Sequence, residues 1–222
     1  DLIKEKGKGI EKKNVVFCEE KVSLMAERAI CREMGGSFNT EVYSFGNFLR
    51  AKKPMQNLLT KEGSAMAVKN ILSTATLKCF KASKLSLAPT LYELIMQLKS
   101  ARVTPENIDY ASSAVSGVLK NKLEDLAKVY SDYERFVFER GLEDQSSALN
   151  YLPEVIENED GISMADVFIV GFTGFTAQLR TAIEVLAKKA KSVTFILCEG
   201  QNPMIFVNET AEFVRSFCLK NS

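Results

Sequence analysis

Between residues 53 and 160 the chain offers no convincing strand, while on either side short apolar runs alternate with helical spacing. A strand buried on both faces of a parallel sheet needs a near-continuous apolar run, and parallel neighbours need a helical crossover between them. Before the strand-free stretch, residues 14–18 are such a run. Residues 22–34 then show helical spacing through Leu24, Met25, Arg28, Ala29 and Arg32 up to Gly35-Gly36, and residues 40–45 read as a second strand. After it, residues 166–170 read as a strand and 176–190 as a helix with Leu179, Ile183 and Leu186 on one face. Residues 192–198 follow as a strand and 210–219 as a closing helix. The economical architecture is one α/β domain split in sequence, residues 1–52 and 161–222, with an all-helical subdomain, 53–160, inserted into it.

Within the insert, residues 64–80 place apolar side chains at 68, 71, 72, 75 and 79, the spacing of one helix face. Residues 91–98 form another apolar helix, and Thr104-Pro105 is a helix start, with Thr as N-cap and Pro in the first turn. The clearest element spans residues 118–139, where Leu119, Leu123, Leu126, Tyr130, Tyr133 and Val137 step by 4, 3, 4, 3 and 4. Gly141 stops it, and one further helix is expected over residues 145–157. At the start, residues 2–6 read as a helix end closed by Gly7 and Gly9. With Asp1 in place of a methionine, the chain is expected to be a piece of a longer protein.

The 222 residues include no histidine, which removes Ser-His-Asp and Cys-His nucleophilic machinery, His general bases and every His-containing metal site. The five cysteines, Cys18, Cys31, Cys79, Cys198 and Cys218, form no CxxC pair. They read as small buried hydrophobes of a reducing cytosol rather than a disulfide, zinc or iron–sulfur set. No apolar run reaches the length of a membrane span, and no signal peptide is visible. The net charge of +1 hides an uneven distribution: residues 47–84 carry eight basic groups against Glu62 alone, and residues 85–158 carry seven against twelve acids. The basic block reads either as a phosphate-binding patch or as a solvated surface that pairs with the acidic stretch after it.

A nucleotide-hydrolysing α/β domain needs a Gly-rich loop ending in Lys and Ser/Thr after its first strand, and carboxylates at a neighbouring strand tip to hold Mg²⁺. No G-x-x-x-x-G-K-[ST] and no G-x-G-x-x-G is present; Gly7-Lys8-Gly9 is only a short turn. The strand at 166–170 ends in Val170-Gly171 without an acid, and Asp166 lies at its other end. Gly171-x-x-Gly174 is either a plain turn or a close backbone approach to a ligand.

The order of these segments resembles a known family. Asn14-Val15-Val16-Phe17-Cys18-Glu19-Glu20-Lys21-Val22-Ser23 with Met25-Ala26-Glu27-Arg28 is similar to the strand and helix of motif Ia in superfamily 1 helicases. Glu41-Val42-Tyr43-Ser44-Phe45-Gly46-Asn47-Phe48-Leu49 resembles their next strand, with Gly46 in the place of the motif's His. Val167-Phe168-Ile169-Val170-Gly171-Phe172-Thr173-Gly174-Phe175-Thr176-Ala177-Gln178 is similar to a segment of AddB, the B subunit of the bacterial AddAB helicase–nuclease, to which RexB is related. Leu119-Lys120-Asn121-Lys122-Leu123-Glu124-Asp125-Leu126, with Tyr130 and Tyr133, resembles the long helix of that subunit's inserted domain. Residues 195–206, with Gln201 and Ile205-Phe206, resemble a degenerate motif III.

The resemblance implies a P-loop-NTPase-like, superfamily 1 helicase-like parallel sheet with its helical insert, from the N-terminal region of an AddB/RexB-type subunit. It implies a cytoplasmic bacterial protein of DNA repair and homologous recombination, whose complex, an ATP-dependent helicase/exodeoxyribonuclease, processes double-strand breaks. Partners would be single-stranded DNA and an AddA-type helicase–nuclease subunit, with no membrane. Val170-Gly171 replaces the family's acidic strand tip, so no catalytic residue and no metal ligand is expected here. ATP and Mg²⁺ would belong to a loop upstream of Asp1, and the family's iron–sulfur cysteines and nuclease centre lie outside this chain. By motif position, DNA would meet Lys21, Ser23, Ser44, Phe45, Asn47 and Arg50, with Lys52, Lys53 and Lys61 adding charge. Core packing is the competing expectation for Phe45, and a solvated helix end for Lys52 and Lys53. Val170, Gly171, Gln178 and Gln201 occupy degenerate helicase-motif positions. Besides this non-catalytic DNA-binding scaffold, an ATPase whose P-loop precedes Asp1 and a pure partner-binding module stay open.

Overall fold

The computed structural model describes residues 13–36, 39–80, 86–197 and 205–220, the side chains of 205–208 excepted. The expected helix end at residues 2–6, the Gly7-Lys8-Gly9 turn, Cys198 and Gln201 lie outside them. In chain order the elements are β1 (Lys13–Cys18), α1 (Glu20–Met34), β2 (Thr40–Tyr43), α2 (Phe45–Lys52), α3 (Lys61–Thr74), α4 (Ala88–Ser100), α5 (Pro105–Ser112), α6 (Gly117–Glu139), α7 (Gln145–Leu149), α8 (Leu152–Asn158), α9 (Asp160–Ser163), β3 (Ala165–Val170), α10 (Ala177–Lys189), β4 (Ser192–Ile196) and α11 (Ile205–Lys220). The chain divides into two units, Asp1–Pro54 with Tyr151–Ser222, and Met55–Asn150.

The first unit is a sheet of four strands, all parallel, in the order β2-β1-β3-β4. From the central pair β1 and β3, the chain steps outward in opposite directions. Right-handed crossovers therefore put α1 and α10 on opposite faces. At the start of the strands a polar rung crosses the sheet: Asn14 stands beside Thr40 and Asp166, and Asp166 beside Ser192. The Asn14 amide donates to Thr40 Oγ1 at 3.2 Å, and the Ser192 hydroxyl donates to the Asp166 carboxylate. Further along, Tyr43, Phe17, Ile169 and Phe195 share one face. Helix α2 packs Phe48 edge-on against both Phe17 and Tyr43, and α8 touches α2 and α10 on that side.

Several boundaries differ from those expected, the helix expected over 64–80 ending already at Thr74, and three of the differences have a local reason. Strand β2 stops at Tyr43 because Ser44 becomes an N-cap, its Oγ accepting the Asn47 N–H at 3.1 Å, so Phe45 opens a helix. The single helix expected over 145–157 is broken in two, and Pro153 sits in the first turn of α8, where its missing N–H costs nothing. Helices α8 and α9 fall in the sheet unit rather than with the helical insert, because Leu152, Ile156 and Ile162 bury their side chains there. The cysteines also differ from the uniform expectation: Cys18 is buried, but Cys31 and Cys218 are exposed and Cys79 is half-buried. Cys31 follows its helix, since α1 has the spacing of an amphipathic helix yet contains no buried residue.

The second unit is helical, with a core from α3, α4, α5 and α6 that includes Val68, Leu72, Ile95, Val129 and Tyr133. The start of α5 is a capping box: the Thr104 hydroxyl accepts from the Asn107 N–H, and the Asn107 side chain accepts from the Thr104 N–H at 3.0 Å. The Asp125 carboxylate accepts three consecutive backbone N–H groups, from Lys78, Cys79 and Phe80, at 2.9, 2.5 and 3.0 Å, and so ties that loop to α6. Tyr130 donates to the Val103 carbonyl and Tyr133 to Ser64 Oγ, both at 3.1 Å.

Burial pushes the phenols of Tyr92, Tyr130 and Tyr133 above their ordinary value. Each holds its proton more tightly folded than unfolded. The stability this contributes is whole below the unfolded value of about pH 10 and is lost as pH rises above it. A denaturation midpoint that falls steeply above about pH 10, with tyrosinate absorbance appearing together with unfolding, is the expected result. Ionisation of these phenols without loss of helix signal would contradict it.

Candidate functional site

In an open parallel sheet, ligands bind outside the carboxyl ends of the strands, where neighbouring strands lead off in opposite directions. Here that point lies between β1 and β3. Glu19 leads from it into α1 and residues 171–176 into α10, while Ser44 leads into α2 from the carboxyl end of the neighbouring edge strand β2. The amino ends of three helices therefore face the same edge, which concentrates positive dipole ends there. Gly171 takes φ +73°, a left-handed turn that L side chains resist, and its N–H donates to the Ile196 carbonyl at 2.9 Å. Thr176 caps α10 by accepting the Leu179 N–H at 3.3 Å.

Most of the residues expected to meet DNA come to this edge, though not all with free side chains. Asn47 and Arg50 lie one turn apart on α2. Arg50 donates to the Asn47 side-chain oxygen, and to Glu20 of α1 at 3.0 Å. That ion pair stays more than half exposed, so it holds little energy against a competing phosphate. Lys21 is exposed on the first turn of α1, and Ser23 donates to the Glu20 carbonyl at 2.9 Å. Ser44 is buried, its oxygen taken by the cap.

Phe45 is 4% exposed and stacks on Phe17, centroids 4.5 Å apart and planes within 8°. It is therefore part of the core and offers no open face to a base. Its neighbour Phe172 is half-buried at the strand tip, tilted against Phe45 at 5.7 Å and Phe175 at 5.2 Å. Sequence reasoning passed over Phe172; the signal was its place directly after the Gly171 turn. The aromatic contacts continue from Phe175 to Phe195 and Phe213, and from both of those to Phe217. Arg180, also passed over, lies with its guanidinium 4.5 Å from the Phe213 ring centroid.

The lysines have acidic partners. Lys52 pairs with Glu159 at 3.1 Å; burial works against its charge, yet Glu159, with Glu41, holds its pKa above the ordinary value. Lys53 pairs with Glu154 at 3.5 Å and sits 3.9 Å from the Tyr151 ring centroid. Lys61 belongs to the helical unit, where it pairs with Glu93 at 2.7 Å. Of the degenerate motif positions, Val170 and Gly171 form the acid-free tip of β3 and Gln178 is 3% exposed on α10. Among the described residues no Cys, Asp and Glu side chains cluster in a way that could hold a metal ion, and no helix is long and apolar enough to cross a membrane.

Comparison with known proteins gives one consistent answer. The B subunit of the ATP-dependent helicase/deoxyribonuclease of Staphylococcus aureus strain JH9 is 30% identical over 181 residues, which are 77% of this chain and 16% of that relative. Its counterparts in strains JH1 and Mu3 match with the same values. The chain thus spans 16% of the length of these curated relatives. The family described as ADDB, N-terminal, matches residues 2–215, nearly the full length in a single stretch. With that match running through both the parallel sheet and its helical insert, the chain belongs to the AddB N-terminal family.

Proposed function

We propose that this chain is a non-catalytic, P-loop-NTPase-like and helicase-like region of an AddB-type subunit. It binds single-stranded DNA at the carboxyl edge of its sheet, and scaffolds, with an AddA-type subunit, a cytoplasmic complex that processes double-strand breaks for recombination. The observation that carries this reading is Arg50 joining Asn47 on α2 to Glu20 on α1, at the edge where the half-buried Phe172 packs on Phe45. Phosphates favour the positive dipole ends of that edge, and a ring there suits an unstacked base. The apolar Val170 at the β3 tip leaves Mg²⁺ without a ligand there, which argues for binding without turnover. Lys52 and Lys53, neutralised by Glu159 and Glu154, are not direct phosphate contacts.

Fluorescence anisotropy with a labelled single strand tests this. Arg50→Ala should weaken binding and lower the salt slope by about 0.7, the share of one phosphate on a single strand. Phe172→Ala should remove about 1–3 kcal/mol of stacking. Lys52→Ala should leave the salt slope nearly unchanged. Affinity indifferent to both Arg50 and Phe172 would refute the site.

A second reading, a partner-binding module, is favoured by one observation. Helix α1 exposes Val22, Leu24 and Met25, the last at 70%. Leu24→Glu should then weaken association with an AddA-type subunit while leaving DNA affinity intact.

A further inference from the structure

The helical unit contains a cleft of about 340 Å³ between the first turn of α3, the length of α4 and the short α7. Its walls are fixed from beneath. Lys99, nearly buried, bridges Glu134 at 2.5 Å and the fully buried Asp144 at 2.6 Å. Asp144 in turn caps α7, accepting the Ser147 N–H at 2.8 Å. Ser100 Oγ lies 3.4 Å from Ser146 Oγ, which links α4 to α7 a second time. A five-residue helix does not hold its shape alone; here it is anchored, so the cleft is preformed.

Its chemistry is layered. The half-buried Met96 and Leu149 give it an apolar floor. The exposed Gln97 and Gln145 stand on its rim, each with an amide that both donates and accepts. Lys61 lies at the edge, paired with Glu93, but the two side chains are 57% and 54% exposed. An ion pair that open to water is weak and exchanges partners readily.

We propose that this cleft takes one unstacked nucleobase of single-stranded DNA, with Lys61 meeting the adjacent phosphate. The inference rests on the single-strand-binding reading above. The volume lies at the small end of ligand pockets, suited to a nucleoside-sized group and too small for a peptide helix. The polarizable Met96 offers a face for the base, and the two amides match the mixed donors and acceptors of a base edge. Once Lys61 turns to phosphate, Glu93 is left as an acceptor, which favours bases with an exocyclic amine. The cleft should therefore prefer cytosine to thymine.

The test uses the full chain with short oligo(dC) and oligo(dT) in anisotropy titrations. Gln97→Leu combined with Gln145→Leu changes only exposed side chains, so folding should survive, and a thermal melt checks this. The expected result is about a tenfold loss of oligo(dC) affinity, about 1.4 kcal/mol, together with loss of the preference over oligo(dT). Glu93→Gln should erase the preference while leaving oligo(dT) binding nearly constant. If Arg50→Ala weakens binding but the glutamine pair and Glu93→Gln do not, the cleft is overturned and the sheet-edge reading stands. If the unaltered chain binds neither strand, both fall together. Chemical-shift changes in the Gln97 and Gln145 amides on adding deoxycytidine monophosphate give an independent readout, and their absence would also overturn the cleft.

Discussion

Asp144→Ala is expected to lower the unfolding free energy by about 3–5 kcal/mol, the cost of breaking a buried pair by removing one partner. Asp144 is fully buried and serves two groups at once, the Lys99 ammonium at 2.6 Å and the Ser147 N–H at 2.8 Å. Its loss leaves Lys99 in low dielectric with only the partly exposed Glu134, and removes the cap from α7. The double change Lys99→Met with Asp144→Leu should be far milder than Asp144→Ala, because it removes both charges and leaves none stranded. Urea denaturation of the three proteins decides the matter. If Asp144→Ala costs no more than an ordinary surface substitution, the pair does not anchor α7. The same substitution should loosen the cleft, since α7 forms one of its walls.

The second large effect lies in the sheet unit. Phe17→Ala should cost about 3–5 kcal/mol, combining lost transfer free energy with the cavity left behind. Phe17 is fully buried in a central strand, stacked on Phe45 at 4.5 Å and edge-on to Phe48 at 5.3 Å. Phe45 in turn supports Phe172. The change should therefore also weaken single-strand binding, although Phe17 touches no solvent. Phe17→Leu keeps most of the volume and should cost much less. Equal losses for Leu and Ala would show that the ring contacts contribute nothing beyond occupancy.

Much of this fold was legible because local signals agreed. The near-continuous apolar runs at 14–18 and 166–170 marked strands buried on both faces, and both lie at the centre of the sheet. The 4-3 stepping from Leu119 to Val137 marked α6, and Thr104-Pro105 marked the start of α5. What was hidden depends on distance in sequence. Nothing near Lys52 announces Glu159 as its partner, so the basic block read equally as a phosphate patch or as a surface paired with the acidic stretch after it, and the structure pairs several of its members. Phe45 and Phe172 carry the same side chain. Only the stack on Phe17 separates the one in the core from the one at the tip. The spacing of α1 announced an amphipathic helix, but the absence of any buried residue on it belongs to tertiary structure alone.

The paired lysines at the end of α2 carry a further consequence. Lys52 and Lys53 lie just before the chain leaves the sheet unit, and Tyr151, Glu154 and Glu159 lie just after it returns. These contacts hold the two strands of the junction side by side. In terms of chain entropy, the closure of the long excursion is secured by the sheet unit itself, and closure entropy grows only slowly with the length enclosed. The excursion between Met55 and Asn150 can therefore lengthen, shorten or be exchanged for a plain turn with little strain on the sheet. The clasp makes this position in the fold tolerant of insertion, which separates the evolution of the helical unit from the folding of the sheet that carries it.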